Sequence, residues 1–361
     1  MTPASPALPE LTLPELTHER VELVTGARSG LALGVALHSS ALGPGLGGCR
    51  LWRYDHWSDG LADVLRLSSA MTLKNSLAGL DYGGGKAVII LGEGDALENG
   101  RRQDALLDLG DLVASFDGSY ITTEDVGVTE HDMVVVRERT PHVVGLPTSL
   151  GGAGEPAEGT ALGVHASLEV VLERLYGTRE VADRSFVISG LGQVGSRLAR
   201  RLAAAGARLH VTDIVDKRQL ADELGATWIA PDEALTTPAD VLVPAGLGGV
   251  LTASAIEQLP TRAVVGPANN PLAERVGAAQ LAERGILYAP DFLVNAGGVI
   301  HLALTADGAT SVVLDARLRA IGDTLARVLD AAEADGVTPL DAAEALAIER
   351  VQRAARARAG G

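Results

Sequence analysis

Apolar and polar positions recur along the chain with two periods, and these periods predict both helices and strands. From residue 58 to about residue 78, apolar side chains recur at the spacing that places them near one face of a helix. Ser58 stands where the N-cap of this helix is expected. The other elements predicted in the first part are strands at 33–39, 47–52 and 86–91, a glycine-rich turn at 80–85, a helix at 104–114 and a segment at 120–127.

The pattern changes at the loop 151–159, after which strands and helices alternate. Strands are predicted at 185–189, 208–212, 240–244, 263–265 and 286–288, and helices at 161–175, after the first strand up to 205, at 272–284, and twice within 316–358. Strands that alternate with helices form a parallel sheet covered on both faces. With one domain expected per roughly 150 residues, the 361-residue chain is predicted to form two α/β domains.

Composition adds three constraints. Aromatic residues are only 3% of the chain and glycine contributes 43 residues, so the core is predicted to be aliphatic, with many tight turns. Thirty basic and 46 acidic residues give a net charge of −16, which repels nucleic acid and anionic membranes. A single cysteine excludes an internal disulfide and a paired-cysteine motif. Residues 1–16 lack the features of a secretory signal and no apolar run has the length of a membrane span, so a cytoplasmic protein is expected.

A GxGxxG motif directly follows the predicted strand 185–189 and opens a helix; its residues are Gly190, Leu191, Gly192, Gln193, Val194 and Gly195. The first glycine permits a tight turn, the second lets a pyrophosphate approach backbone N–H groups, and the third permits close helix–strand packing. Asp213 ends the next strand, 23 residues after Gly190, where a carboxylate accepts from an adenosine ribose and repels a 2′-phosphate. NAD is therefore the predicted cofactor. Lys217 and Arg218 follow closely enough that NADP stays a second possibility. The alternative for the whole motif is a glycine-rich turn that binds no ligand.

Two lysines are candidates for chemistry. Lys74 comes three residues after Met71, close to the apolar stripe of its helix, and Lys86 follows three glycines into a buried strand. Two lysines that meet in one cleft disfavour each other's ammonium form, so one could act as an amine base while the other binds a carboxylate. The alternative is two surface lysines whose stems cover apolar surface.

Further polar side chains follow predicted strands. Asp125 lies in the sequence TTEDVG, Asn269 and Asn270 follow the strand at 263–265, and Asn295 comes shortly after the strand at 286–288. Doubly wound sheets bind ligands at the carboxyl ends of their strands, which makes these residues candidate site residues. The alternative for each is a polar turn. No metal site is predicted.

Seven segments carry these candidates in one order: LGPGLGGCR, MTLKNSLAGLDYGGGKAVI, ITTEDVG, GGAGEPAEGTALGV, GLGQVG, GPANNPL and YAPDFLVNAGGVI. As a set they resemble the amino acid dehydrogenase family that includes the glutamate, leucine, valine and phenylalanine dehydrogenases. The resemblance extends from about residue 31 to residue 304, and the length of the chain resembles that of the leucine, valine and phenylalanine branch.

This resemblance implies a domain layout and a reaction. Residues 1–148 would form a substrate-binding and oligomerisation domain, residues 149–331 a doubly wound Rossmann domain that binds NAD, and a helix at about 332–361 would pack back on the first domain. The implied reaction is reversible oxidative deamination in the cleft between the domains, in which NAD takes a hydride from the substrate Cα and the imine gives a 2-oxo acid and ammonia. A homo-oligomer is also implied.

The resemblance assigns roles to individual residues. Lys86 looks like the catalytic lysine that assists the attack of water, and Asp125 like the aspartate that exchanges protons with water and the amino group. Lys74 looks like the lysine that pairs with the substrate α-carboxylate, and Asn269 or Asn270 like the asparagine that orients it. The remaining implied residues are Gly47, Gly48 and Met71 near the substrate, and Thr160 and Asn295 near the nicotinamide.

Three residues depart from the family's pattern. Cys49 and Val128 each stand where threonine is more usual, and Thr123 stands where the branch has a small residue lining the side-chain pocket, which would narrow that pocket.

The sequence motifs fit more than one amino acid substrate. Asn75 and the segment 78–80 resemble the leucine and valine enzymes, whereas His301 and the segments 320–325 and 335–339 resemble a phenylalanine enzyme. Nothing near Lys74 indicates the extra charge that a glutamate side chain would need. We expect a branched-chain substrate, with phenylalanine as the alternative. A non-catalytic NAD-binding sensor and a different oxidoreductase on a similar NAD domain are further alternatives, against which the complete motif set argues.

Overall fold

Residues 16–154 and 156–359 are described by the structure, a computed structural model. They divide into two units: unit 1 contains residues 16–72 and 82–146, and unit 2 contains residues 73–81 and 147–359. The stretch considered above for a secretory signal lies, up to residue 15, outside the described residues. Within the described part of the chain, no helix is both long and apolar enough to cross a membrane.

Unit 1 is built on a five-stranded sheet of β1 (Arg20–Thr25), β2 (Ala32–Ser39), β3 (Gly45–Arg53), β4 (Gly83–Leu91) and β5 (Tyr120–Glu124). The strand order is β1-β2-β4-β3-β5. β2 runs antiparallel to both of its neighbours, whereas β3 runs parallel to β4 and β5. The helices are α1 (Trp57–Leu77), whose residues up to Thr72 belong to this unit, α2 (Arg101–Ala114) and α3 (Glu130–Arg137). β1 and α3 were not predicted.

The two faces of this sheet pack against different partners. On one face, here called the α1 face, apolar residues of β2 and β4 meet those of α1: Ala36, Val88, Ile90, Leu61, Val64 and Leu65. The other face joins a larger core that includes Phe116 and Tyr120. Successive residues of a strand point to opposite faces, so Lys86, two residues before Val88, lies on the α1 face.

The prediction of a glycine-rich turn before Lys86 is wrong, because Gly83, Gly84 and Gly85 are the first three residues of β4. All three are buried, and each leaves space for a close neighbour. A Cβ on Gly84 would overlap Oγ1 of Thr72 on α1, and a Cβ on Gly85 would lie 2.5 Å from the Tyr120 ring. Glycine inside a strand marks such close approaches, and here tertiary contact decides against the turn.

The start of α1 also differs from the prediction. The helix begins at Trp57, so Ser58 lies in its first turn and is not the N-cap. Asp59 performs the capping interaction instead, since its carboxylate accepts from the backbone N–H of His56 at 3.1 Å.

Unit 2 contains a six-stranded sheet in which all paired strands are parallel. Its strands are β6 (Ser185–Ser189), β7 (Arg208–Thr212), β8 (Thr227–Trp228), β9 (Val241–Pro244), β10 (Ala263–Val264) and β11 (Leu287–Tyr288). Their order is β11-β10-β9-β6-β7-β8, which is the 3-2-1-4-5-6 order of dinucleotide-binding sheets. The predicted parallel α/β sheet is confirmed.

The helices of unit 2 alternate with these strands. They are α4 (Ala157–Tyr176), α5 (Gln193–Ala204), α6 (Arg218–Leu224), α7 (Ala253–Gln258), α8 (Gly277–Glu283), α9 (Asp291–Val294), α10 (Gly297–Ala306), α11 (Ser311–Asp335) and α12 (Pro339–Ala359). The helix predicted at 272–284 is therefore shorter, and α10 was not predicted. The loop predicted at 151–159 contains residue 155, which lies outside the described residues, and its end forms the first turn of α4.

The C-terminal helix α12 contacts residues 73–81, the part of the N-terminal half that belongs to unit 2. The Ser76 hydroxyl donates to the carbonyl of Ala347 at 2.8 Å. Arg350 donates to the carbonyls of Ser76 and Leu80 at 3.0 and 2.8 Å, and it pairs with Asp81 at 3.0 Å. These contacts hold the end of α1 against α12.

Candidate active site

Lys86 and Asp125 form an ion pair in unit 1, with Nζ 2.6 Å from Oδ2. Lys86 lies on β4 and Asp125 directly follows β5, so β3 separates the two strands. β3 carries Gly47 and Gly48 at this level. A Cβ on Gly48 would lie 2.8 Å from Cβ of Asp125, and one on Gly47 would lie 3.2 Å from Cγ of Met71 and overlap the Gly85 carbonyl. Gly48 thus leaves space for Asp125, and Met71 lies beside Gly47.

The electrostatic environment keeps Asp125 ionised. Burial alone would raise the pKa of this carboxyl, but the charge and hydrogen bond of Lys86, followed by the charge of Arg50, outweigh it and hold the pKa of Asp125 below its usual range. The Lys86 side chain is 8% exposed and that of Asp125 23% exposed, so the carboxylate side of the pair is the more open to solvent.

Arg50 is a member of this cluster that was not predicted. Its Nε lies 3.5 Å from Oδ2 of Asp125, and its Nη1 lies 2.8 Å from Oδ2 of Asp63 on α1. The Tyr54 hydroxyl donates to the same Asp63 oxygen at 2.8 Å. The guanidinium therefore connects Asp125 to a carboxylate anchored on α1. The signal available in the sequence was the alternation along β3, which places Arg50 two residues from Gly48 on the same face.

Two of the residues that depart from the family's pattern lie on strands near the pair, Cys49 on β3 and Thr123 on β5. Cys49 is fully buried in the core on the other face of the sheet, and burial raises the pKa of its thiol. Thr123 donates its hydroxyl to Oε2 of Glu124 at 2.6 Å. Burial also raises the pKa of the Glu124 carboxyl. The Thr123 hydroxyl is thus satisfied within the protein.

In unit 2 a second cluster joins Lys74 to two asparagines. Nζ of Lys74 donates to Oδ1 of Asn269 at 3.5 Å, and Nδ2 of Asn295 donates to the same oxygen at 2.9 Å. Nδ2 of Asn295 also donates to the carbonyl of Pro267 at 3.2 Å. Asn270 differs, because it has a left-handed φ of 49° and its backbone N–H donates to Asp291 at 2.8 Å. The side chain that meets Lys74 is therefore that of Asn269.

The GxGxxG segment adopts the geometry that its glycines predicted. Gly190 has φ +111°, where a side chain would be strained, and a Cβ on Gly195 would overlap the Gly190 carbonyl. Asp213 accepts from the backbone N–H groups of Leu191 and Val215 at 2.7 and 2.9 Å. Lys217, which left NADP open, donates to the carbonyl of Leu191 at 2.6 Å.

These residues fit an NAD molecule. A Cβ on Gly192 would meet nothing within 4 Å, so the backbone at the start of α5 faces open space in which a pyrophosphate can approach. Gln193 and Val194 form the first turn of this helix. At the start of α4, Thr160 is 8% exposed and its Oγ1 lies 3.1 Å from the position of a Cβ on Gly298, at the start of α10.

Comparison with known protein families gives matches over most of the chain. The Glu/Leu/Phe/Val dehydrogenase dimerisation domain matches residues 18–142, and the Glutamate/Leucine/Phenylalanine/Valine dehydrogenase domain matches residues 210–359. The chain belongs to this dehydrogenase family. The NAD-binding domain of D-isomer specific 2-hydroxyacid dehydrogenases also matches residues 168–246, across the GxGxxG motif.

Individual relatives agree with this membership. A leucine dehydrogenase of Bacillus subtilis is 35% identical over 343 residues, which cover 94% of this chain and 93% of the relative. A phenylalanine dehydrogenase of Caldalkalibacillus thermarum is 38% identical over 347 residues, with 94% and 92% covered. The crystal structure of an L-tryptophan dehydrogenase from Nostoc punctiforme superimposes with a TM-score of 0.80 at 31% identity, covering 94% of this chain and 97% of that one. The protein is thus an NAD-dependent amino acid dehydrogenase, as the motifs predicted.

Proposed function

We propose that the protein catalyses the reversible oxidative deamination of a bulky apolar L-amino acid to its 2-oxo acid and ammonia, with leucine, valine and isoleucine favoured. The observation that carries this proposal is the Lys86–Asp125 ion pair of 2.6 Å. Deamination requires protons to pass between water, the amino group and the enzyme, and a buried lysine beside an ionised aspartate can hold and return a proton.

In this proposal the two residues divide the proton transfers. Bound NAD supplies the acceptor for the hydride that leaves the substrate Cα. The Lys86 ammonium first gives a proton to Asp125 across their 2.6 Å contact. The neutral amine of Lys86 then takes a proton from the water that attacks the imine carbon, and the protonated Asp125 passes its proton to the departing amino group. Arg50 keeps Asp125 in place and ionised between these transfers, since it contacts the oxygen that also meets Lys86.

The Lys74 cluster is proposed to bind the α-carboxylate of the substrate. A lysine ammonium forms a charge-assisted hydrogen bond with a carboxylate, a contact worth about 1.5–3 kcal/mol. Asn269 holds the ammonium at 3.5 Å and is itself held by Asn295 at 2.9 Å. The asparagine assigned to substrate binding is therefore Asn269 rather than Asn270.

The preference for an apolar side chain has two supports. The cations of the unit 1 cluster, Lys86 and Arg50, already face Asp125, so neither is left to pair with a substrate side-chain carboxylate. The relatives described above carry the names of leucine, phenylalanine and tryptophan dehydrogenases. Phenylalanine is the second candidate, because the phenylalanine dehydrogenase is as similar to this chain as the leucine enzyme.

The test is NADH formation with leucine, valine, isoleucine, phenylalanine and glutamate, each assayed with NAD and with NADP. The proposal expects the highest kcat/KM with a branched-chain amino acid and NAD, with overlap among the apolar substrates because a pocket discriminates by only about 1–3 kcal/mol per methylene. Highest activity with glutamate, or no turnover of any amino acid, would refute it.

We also propose that the protein is a homo-oligomer that acts in the cytoplasm. The match of residues 18–142 to a dimerisation domain supports the first part, and the single cysteine fits a reducing compartment. Light scattering at micromolar concentration should give a mass at least twice the 37.2 kDa of one chain. A mass of one chain would contradict the proposal.

A further inference from the structure

A cavity of about 180 Å³ lies in unit 2, outside the clusters described above. Its apolar wall is formed by side chains that are at most 8% exposed: Leu77 at the end of α1, Leu293 on α9, Ile300 on α10 and Ile321 on α11. Two arginines of α11, Arg317 and Arg327, also line it. The cavity therefore combines an apolar wall with two cations.

These two arginines differ from most arginines of unit 2. Nη2 of Arg317 donates to the carbonyls of Gly79 and Ala78 at 2.8 and 3.3 Å, and Nη2 of Arg327 donates to the Thr324 hydroxyl at 3.1 Å. Neither guanidinium forms an ion pair with a carboxylate of the described residues. Their neighbour Arg319, on the same helix, pairs with Asp315 at 2.9 Å.

The absence of acidic partners is informative in a chain of net charge −16. Guanidinium groups bind carboxylates through two parallel hydrogen bonds, and each of these arginines uses only one nitrogen in the contacts above. A cavity of roughly 150 Å³ lined by apolar side chains holds a molecule the size of benzene. By the same comparison, the cavity described here has room for an aliphatic group of about four to five carbons.

We propose that this cavity binds a small aliphatic carboxylate, with its charge on Arg317 and Arg327 and its tail against Leu293 and Ile321. The site is distinct from the Lys74 cluster in the residues that form it. Its occupant would be an effector of the enzyme rather than the molecule that is turned over.

The walls of the cavity connect it to the proposed substrate-binding cluster. Ala78 donates its backbone N–H to the carbonyl of Lys74 at 2.9 Å, and Arg317 holds the carbonyl of that same Ala78. Leu293 precedes Asn295 by two residues on the segment that places Asn295. A carboxylate that binds Arg317 competes with the carbonyls at the end of α1. This expectation rests on the proposed role of Lys74 in binding the substrate carboxylate. Because the competition affects the segment that follows Lys74, we expect it to raise the KM for the amino acid.

The experiment uses 3-methylbutanoate as the probe, because it has a branched tail and a carboxylate but no α-amino or oxo group. Its binding to the full-length protein is measured by calorimetry for the wild type and for Arg317→Gln, Arg327→Gln, Arg319→Gln and Lys74→Ala. Loss of an arginine–carboxylate contact should weaken binding at least about tenfold in the first two variants. Arg319→Gln is the matched control and should bind as the wild type does.

The Lys74→Ala variant separates this proposal from the proposed function. Binding that persists in Lys74→Ala and is lost in Arg327→Gln supports the new site, whereas binding lost only in Lys74→Ala shows that the probe occupies the substrate site and overturns it. Arg327→Gln covers the case in which Arg317→Gln fails to fold, because Arg327 makes no backbone contact with α1.

A kinetic measurement tests the coupling. With the probe present, the KM for the amino acid should rise in the wild type and in Arg319→Gln and should rise less in Arg327→Gln. An equal rise in all three would be simple competition at the substrate site and would refute the effector site. Acetate should bind at least about tenfold more weakly than the probe, since it lacks roughly three CH₂-sized groups worth ~0.8 kcal/mol each, and equal binding would refute the role of the apolar wall.

Discussion

Replacing Asp125 by asparagine tests the central contact of the proposed mechanism. The substitution retains the size of the side chain but removes the charge that lies 2.6 Å from Lys86. Breaking a buried ion pair from one side costs about 3–5 kcal/mol of stability, and because Asp125 is partly open to solvent we expect about 2–3 kcal/mol here. Loss of a group that transfers protons should lower kcat by about 10²–10⁴-fold.

The assay is the initial rate of NADH formation with saturating amino acid and NAD, together with urea unfolding of each variant. Asp132→Asn is the matched control, because Asp132 is also a largely buried aspartate of unit 1 and pairs with Arg102 at 2.6 Å. The control should lose stability, by about 1–2 kcal/mol given the more exposed arginine, but keep kcat within about twofold. If Asp125→Asn retained more than about a tenth of the wild-type kcat, or if the control lost as much, the proton-transfer role of Asp125 would be wrong.

Three further predictions follow from the same clusters. Lys74→Ala should raise the KM for the amino acid by at least about tenfold, because it removes a charge-assisted contact. The Kd for NADH, measured by fluorescence titration, should stay within about twofold of the wild-type value. An unchanged KM would show that Lys74 does not bind the substrate carboxylate. The wild type should prefer NAD over NADP by more than about tenfold in kcat/KM, and Asp213→Ala should reduce this preference. Equal kcat/KM with the two cofactors in the wild type would contradict the role of Asp213. Because the folded-state pKa of Asp125 is lowered, its pair with Lys86 contributes stability above the unfolded-state pKa of about 3.9, and this contribution is lost as the pH falls through the lower folded value. The difference in unfolding free energy between the wild type and Asp125→Asn should therefore shrink below about pH 4, and a difference that stays constant to pH 2 would show that the pair is not its source.

The sequence predicts the parallel sheet of unit 2 well because its signals are local. The strands β6 and β7 have the predicted bounds, since each is a short run with apolar residues at its centre that ends directly before a glycine or an aspartate. The dinucleotide motif is equally visible in the sequence, because its six residues are contiguous and directly follow β6. Seven motifs in a family's order then carried the candidate residues as a set.

The predictions fail where the structure depends on contacts between residues that are far apart in the sequence. Gly83 to Gly85 have the composition of a turn, yet Thr72 and Tyr120 approach them closely enough that only glycine fits the strand. The helix α10 begins at Gly297 and Gly298, and a Cβ on Gly297 would overlap the carbonyl of Gly159. No local pattern reveals such contacts.

Arg50, Arg317 and Arg327 were missed for a related reason. An arginine on a strand or an exposed helix is common, and its meaning depends on which carboxylate it meets. Arg50 meets Asp63 and Asp125, which are 13 and 75 residues away in the chain. Arg317 and Arg327 are informative because no described carboxylate pairs with them, which only a structure can show.

The contact between Gly84 and Thr72 has a consequence for how this enzyme tolerates mutation. Where β4 begins, α1 approaches the strand so closely that a Cβ on Gly84 would overlap both Oγ1 and the backbone N of Thr72. Lys86 lies two residues further along the same strand, so the position of its backbone depends on this close contact. A single methyl group at residue 84 would therefore displace the lysine without touching it.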